Sequence, residues 1–377
     1  MKEIDDIIAA YGEAQANGIR AALATVVKVE GSSYRQPGAR MLVTEDGRLT
    51  GAISGGCLEG DALRKALLAI HQQQNKLITY DTSEAGNVEF GVQLGCNGIV
   101  HILFEYIDPQ ESRNPITLLK ALQEERRETV VVTLFSTKHR HLQQGTLLVA
   151  DRGNLPAVIA NQAYGTALAD AAAAVLESHN STLLKFEADG RAQEALVEFR
   201  PPAIRLYIVG AGNDAKPLVD MAAVLGWETT VIDGRATHAT AQRFPKAGAV
   251  KLATPDRVLD GVTADRFTAF VLMTHNYHYD LAVLQQLVTT DTRYIGSLGP
   301  KTKLQRMFDE LDTVGNPLTE DQKARIYGPV GLDIGGETSD EIALAILAEI
   351  RAVLNNRPGG SLRLLQTKIH SQTPAAL

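Results

Sequence analysis

The chain has 377 residues, 45% of them hydrophobic and 21% charged, with 37 basic against 44 acidic side chains and a formal charge of −7. That length predicts two or three domains with sizeable cores and excludes a fibre or a disordered chain. No Lys/Arg block breaks the charge mixture, which excludes a nucleic-acid or anionic-membrane surface and leaves proteins or small molecules as partners.

In chain order, residues 2–17 carry Ile4, Ile7, Ile8 and Tyr11 at helical spacing. This stretch is acidic and amphipathic, unlike a secretory signal, and no apolar run approaches the roughly 18 residues of a spanning helix, so a cytoplasmic protein is expected. Residues 19–29 read as a strand, and 41–53 as a hairpin around Asp46-Gly47. A helix over 58–74 and strands over 76–81 and 99–107 come next. The polar, proline-bearing stretch 108–115 reads as a linker.

Beyond the linker the chain repeats its first region. At an offset of 106, MLVTEDGRLTGAIS (41–54) lies over LLVADRGNLPAVIA (147–160), Leu77 over Leu183 and Tyr80 over Phe186. LFEY (103–106) then matches LVEF (196–199) at an offset of 93, so the second copy is 13 residues shorter between those points. Both cysteines of the chain, Cys57 and Cys96, lie in loops that only the first copy has. Two cysteines in a chain of this size point to chemistry rather than a disulfide scaffold. From 203 onward, AIRLYIVGAGNDAKPLVDMAAVLGWETTVIDGR reads as strand, glycine turn, helix and strand, and further strands at 249–253, 268–274, 292–296 and 326–330 have helices between them, the pattern of a parallel sheet with helices on both faces. The expected architecture is α/β. Its N-terminal α+β region is a degenerate tandem repeat (1–108 and 115–200), and a Rossmann-like doubly wound domain occupies 203–377.

Five segments carry chemistry. Gly210-Ala211-Gly212-Asn213-Asp214-Ala215 fits G-x-G-x-x-A between strand and helix, and Asp233 stands where a ribose-binding carboxylate belongs. NAD(P) is the cofactor this pattern suggests, with Arg235 beside Asp233 leaving NAD and NADP undecided. A fold-preserving glycine turn without cofactor is the alternative. After the fourth strand of that domain, His275 is a candidate acid/base with Asp280 to orient it or to cap the next helix. His275, His278 and Asp280 are also metal-ligand types, with no further ligand evident. In the first copy, Arg35 and Arg40 with Ser32 and Ser33 suit an oxyanion, or are solvated surface groups. Ser54-Gly55-Gly56-Cys57 leaves a strand and enters a helix, where N–H groups and the helix dipole favour a thiolate at Cys57. Cys96, in its own glycine loop, is open to a functional or a structural reading.

These segments together resemble the XdhC/CoxI family, accessory proteins of xanthine dehydrogenase and related molybdenum hydroxylases. The resemblance is carried by GSSYRQPGARMLV, GAISGGCLEGD, LGCNG, YIVGAGNDA with VIDGR, MTHNYHYD, YIGSLG and GPVGLDIGGETSDEIALAILAEI, in family order from residue 31 to about 350. It implies a protein that binds molybdenum cofactor (molybdopterin), protects it during sulfuration by a cysteine desulfurase, and helps insert it into a xanthine dehydrogenase-type enzyme. Cys57 matches the family's cofactor-associated cysteine and a contact to molybdenum, and Gly55, Gly56 and Glu59 match its loop. Departures are Asn213 for the usual His, Asn97 for Gly, and Pro300 near the usual Arg. A maturation chaperone, acting as a homodimer, is the first expectation. An NAD(P)-dependent oxidoreductase using His275 is the second.

Overall fold

The computed structural model describes residues 2–81, 98–139, 143–154, 164–188, 190–366 and 369, in two compact units, 1–202 and 203–377. The first unit opens with helix α1 (Lys2–Ala16), followed by strands β1 (Ala21–Gly31), β2 (Arg40–Thr44) and β3 (Leu49–Gly51). Helix α2 (Glu59–Gln72) and strands β4 (Lys76–Asp81) and β5 (Gly98–Tyr106) complete an antiparallel sheet of order β3-β2-β1-β5-β4. β1 is buried on both faces over Ala21–Val27, because its alternate residues serve two layers. Ala22, Ala24 and Val26 meet Ala62, Ala66 and Ala69 of α2, small residues that let helix and sheet approach closely. The opposite face meets α1 through Ala21 and Leu23, and the second copy through Val27.

The second copy comprises helix α3 (Pro115–Glu124), strands β6 (Thr129–Phe135) and β7 (Gly145–Ala150), helix α4 (Gly165–Ser178), and strands β8 (Thr182–Ala188) and β9 (Arg191–Arg200). Its sheet order, β7-β6-β9-β8, repeats β2-β1-β5-β4. The register repeats too: Leu77 opposes Leu103 as Leu183 opposes Leu196. Both crossover helices end on a left-handed residue, Gln73 at φ 51° and His179 at φ 58°, which the sequence offset superposes. The copies therefore share one topology, as the offset predicted. The second copy's counterpart of the Ser54–Cys57 loop, residues 160–163, lies outside the described residues, as does the Cys96 loop of the first.

The stretch 108–115, which reads as a linker, leads directly into a helix. Asn114 is 7% exposed and its side chain accepts from Thr117 N at 2.9 Å, capping α3, whose first turn begins with Pro115. Ile116, Leu119 and Leu122 of α3 then join Ile4, Ile7 and Val131 in one cluster. The join is thus a helix start that is part of the core shared by both copies.

In the second unit, β10 (Arg205–Val209), helix α5 (Ala215–Val224), β11 (Glu228–Asp233), β12 (Ala249–Leu252), β13 (Thr268–Leu272) and helix α6 (Tyr277–Leu287) come first. They are followed by β14 (Tyr294–Ser297), helix α7 (Lys301–Thr313), helix α8 (Glu320–Lys323), β15 (Ile326–Tyr327) and helix α9 (Ser339–Leu354). The sheet is parallel throughout, ordered β12-β11-β10-β13-β14-β15, the Rossmann sequence with its switch point between β10 and β13. Leu206 and Ile208 face α5 and α9, whereas Tyr207 and Val209 face α6 and α7. α9 starts on a capping box, Thr338 with Glu341.

Candidate functional site

The loop from β3 into α2 is organised by Ser54, which is 6% exposed. Its Oγ accepts N–H bonds from Gly56 and Leu58, both at 3.1 Å, and donates to a carboxylate oxygen of Glu59. Glu59 also accepts from Ser54 N at 3.0 Å and Leu58 N at 3.2 Å, so its carboxylate occupies the positive end of α2. Gly56 takes φ 106°, a conformation that turns Cys57 outward. The result is an exposed thiol over a braced loop, with Sγ 3.6 Å from Ser54 Oγ. Ser54 and Glu59, expected as ligand contacts, are the loop's internal supports.

The loop 32–37 borders this site. A β-carbon added to Gly55 would lie 3.4 Å from the ring of Tyr34, whose own exposure is 67%. Gly31 opposes Gly98 in the ladder, which brings the end of β1 to the start of β5, two residues after Cys96 in sequence. Cys96 itself lies outside the described residues.

The two arginines depart from the oxyanion role. Arg40 is 0% exposed; its Nη2 lies 2.8 Å from Glu198 and its Nη1 donates to Gly38 O at 2.9 Å. Arg35 donates to Glu3 of α1 at 2.7 Å. A buried guanidinium demands a carboxylate partner, and folding supplied one from the second copy. No sequence signal marked that pairing, because Glu198 is far along the chain and has no motif of its own.

In the second unit, Gly210 sits at φ 128°, where a β-carbon would collide with Met273 O, so only glycine fits beside β13. Asp233 is 2% exposed and fully engaged. Its Oδ2 accepts from Ala211 N and Arg235 Nη2, both at 2.7 Å, and its Oδ1 from Arg235 N at 2.8 Å and Nε at 2.9 Å. Burial raises the carboxyl's pKa, but the Arg235 side chain and the N–H groups of Ala211 and Arg235 outweigh burial and bring it down to about 2. No oxygen is left for a ribose hydroxyl, and the expected ribose role does not fit this residue. Over Gly212 stands Asp214, whose Oδ1 occupies the space a β-carbon would need.

The partner of His275 is Asp214, with Nε2 2.7 Å from Oδ2, and not Asp280. Asp280 is buried, accepting from Thr274 Oγ1 at 2.6 Å and Lys303 Nζ at 2.7 Å. The cap of α6 is Asn276, which accepts from Tyr279 N at 3.2 Å. Among the described residues no group of three or more His, Cys, Asp or Glu side chains is placed to hold a metal ion. Sequence reasoning missed Asp214, Lys303 and Tyr34. Asp214 and Tyr34 lay inside segments already singled out, whereas Lys303 reaches Asp280 from the next helix and had no signal.

Two family models match the chain, the XdhC and CoxI family over residues 14–81 and the XdhC Rossmann domain over 206–350. A Bacillus subtilis protein named as a probable xanthine dehydrogenase subunit is 31% identical over 330 residues, 88% of this chain and 92% of that protein. The Escherichia coli molybdenum cofactor insertion chaperone PaoD is 25% identical over 341 residues, 90% of this chain and 86% of its own length. A crystal structure described as a xanthine dehydrogenase from Bacillus halodurans superposes with a TM-score of 0.70 at 26% identity, covering 95% of this chain and 98% of the other. With one relative above 30% identity over nearly its full length, and with the serine-braced cysteine loop and the Rossmann sheet in place, the chain belongs to the XdhC and CoxI family.

Proposed function

We propose that this protein is a maturation chaperone that binds molybdenum cofactor at Cys57 and delivers it to a xanthine dehydrogenase-type molybdoenzyme, with a cysteine desulfurase as the source of the terminal sulfur. The observation that carries the reading is the exposed Cys57 thiol, held out by the Ser54–Glu59 brace. The likeness to a cofactor insertion chaperone over nine-tenths of the chain supports it. A thiolate is a soft donor suited to a metal with sulfur ligands, and an exposed site suits a cargo that must be handed on.

Metal binding through sulfur requires the thiol proton to leave. The exposed sulfur can give it up directly to solvent. Ser54, 3.6 Å from the sulfur, and Glu59 serve as loop supports, and Gly55 and Gly56 leave the approach to sulfur uncrowded. The phosphate end of the cargo finds no ligand in Arg35 or Arg40, which are committed to Glu3 and Glu198.

The test is the molybdopterin content of protein purified from a cofactor-producing host, read as fluorescence of the oxidised pterin. Cys57→Ala is expected to lower it at least about tenfold with an unchanged melting curve, because an exposed thiol contributes little to stability. Full cofactor content in Cys57→Ala would overturn the reading, and loss in Cys96→Ala alone would move the site to the other loop.

A further inference from the structure

A glycine turn binds a dinucleotide because its N–H groups and the following helix end meet a pyrophosphate, while a carboxylate on the second strand meets a ribose. In this chain the ribose carboxylate and the space over the second glycine are already used internally. The Asp233 carboxylate is closed by Ala211 and Arg235. The space over Gly212, which the missing side chain would leave to a phosphate, holds Asp214 Oδ1. Asp214 Oδ2 is fixed by His275, which reaches across the switch point from the end of β13 and holds φ 58°, a conformation non-glycine residues adopt at a cost. Arg243 Nη2 completes the arrangement, donating to Ala211 O at 3.2 Å and Asn213 Oδ1 at 3.1 Å.

We propose that the turn is blocked from within: the Asp214 carboxylate fills the space over Gly212 that a phosphate would need, the Rossmann crevice of this chain takes no NAD(P), and its solvent-facing group is a His275 imidazole backed by Asp214. The side chains that close the turn come from four places along the chain, Asp214, Asp233 with Arg235, Arg243 and His275, so the arrangement does not depend on one rotamer. A phosphate approaching Gly212 would meet the Asp214 carboxylate, and like charges at contact distance repel strongly where water is partly excluded. With Nε2 directed at Asp214, His275 keeps Nδ1 for a ligand, the geometry in which a carboxylate fixes the tautomer of an imidazole base. The crevice therefore suits a neutral or cationic hydrogen-bond donor. The proposal is independent of the role given to Cys57.

The experiment titrates the intact chain with NADH and NADPH, following nicotinamide fluorescence, and with inorganic pyrophosphate by calorimetry. The wild-type chain is expected to show no saturable dinucleotide binding up to about 1 mM, the weak end of specific affinities. Asp214→Ala, which uncovers Gly212 and removes the charge, is expected to bind pyrophosphate at least tenfold more tightly than wild type. Asp214→Asn keeps the side chain's volume without its charge and is expected to give a smaller gain; it serves as the second variant should the alanine form fail to fold. Saturable binding of either dinucleotide by the wild-type chain would overturn the proposal, and so would an unchanged pyrophosphate affinity in a folded Asp214 variant.

Discussion

Ser54 Oγ satisfies the N–H groups of Gly56 and Leu58 and ties them to Glu59, so the loop that presents Cys57 hangs on one hydroxyl. Removing the buried hydroxyl leaves the buried Leu58 N–H and the Glu59 carboxylate a partner short, at about 1–3 kcal/mol. Ser54→Ala is accordingly expected to lower the unfolding free energy by an amount of that order, read as a lower urea midpoint, while Cys57→Ala leaves the midpoint within error. Equilibrium unfolding of the two variants checks this, and equal midpoints would show that the hydroxyl does not hold the loop. Ser54 and Glu59 were legible as members of a motif, but their work as supports was not, because a motif names residue types and not who bonds to whom. The same holds for Arg40, whose side chain reads as a ligand in GSSYRQPGAR and is spent on Glu198.

Between elements, the two copies bury polar groups where their sheets meet. Arg40 and Arg200 share Glu198, and Lys28 lies 3.4 Å from Glu194. Between β5 and β7, Glu105 Oε1 accepts from Thr146 N at 2.5 Å and Oε2 from Thr146 Oγ1 at 3.1 Å. Burial raises the Glu105 pKa from 4.5 to about 7, with Thr146 and the charge of Arg40 only partly opposing it. A raised carboxyl pKa means that the folded state holds the proton more tightly than the unfolded chain. The contribution is therefore full below about pH 4.5 and is lost as pH rises through about 7, a change of about 3 kcal/mol. Denaturant unfolding across this window is expected to show wild type losing stability relative to Glu105→Gln, with the variant the more stable at pH 8. Parallel profiles would mean that Glu105 ionises in the fold as it does in the unfolded chain.

Among the described residues, each hydrophobic cluster belongs entirely to one unit: two serve residues 203–377 and four serve 1–202. A segment that contains its own core has what it needs to fold alone. Residues 203–377 expressed separately are expected to unfold cooperatively with near-ultraviolet dichroism of a packed interior. The same is not expected of residues 1–108, because α1 and β1 share a core with α3 and β6 of the second copy. A molten 203–377 fragment, or a cooperatively folded 1–108 fragment, would contradict this division. Among the described residues, no helix is long and apolar enough to cross a membrane.

Local spacing and offsets along the chain were enough to establish the elements, the duplicated topology and the family resemblance. The signals were apolar, β-branched runs such as residues 19–29, the glycine turn before α5, and the offsets of 106 and 93 that reappear as paired registers of Leu77 with Leu103 and Leu183 with Leu196. Which polar side chains remain available was settled by packing alone. Asp233, Asp280, Arg35 and Arg40 all have the residue type a ligand would want, and all are consumed by partners, of which Lys303, Glu3 and Glu198 come from elements distant in sequence. The physical reason is that a charge removed from water must be paired, and the partner is chosen in three dimensions, which no spacing along one segment records. Cys57 keeps its candidacy on the opposite ground: its loop satisfies its own backbone and leaves the sulfur exposed.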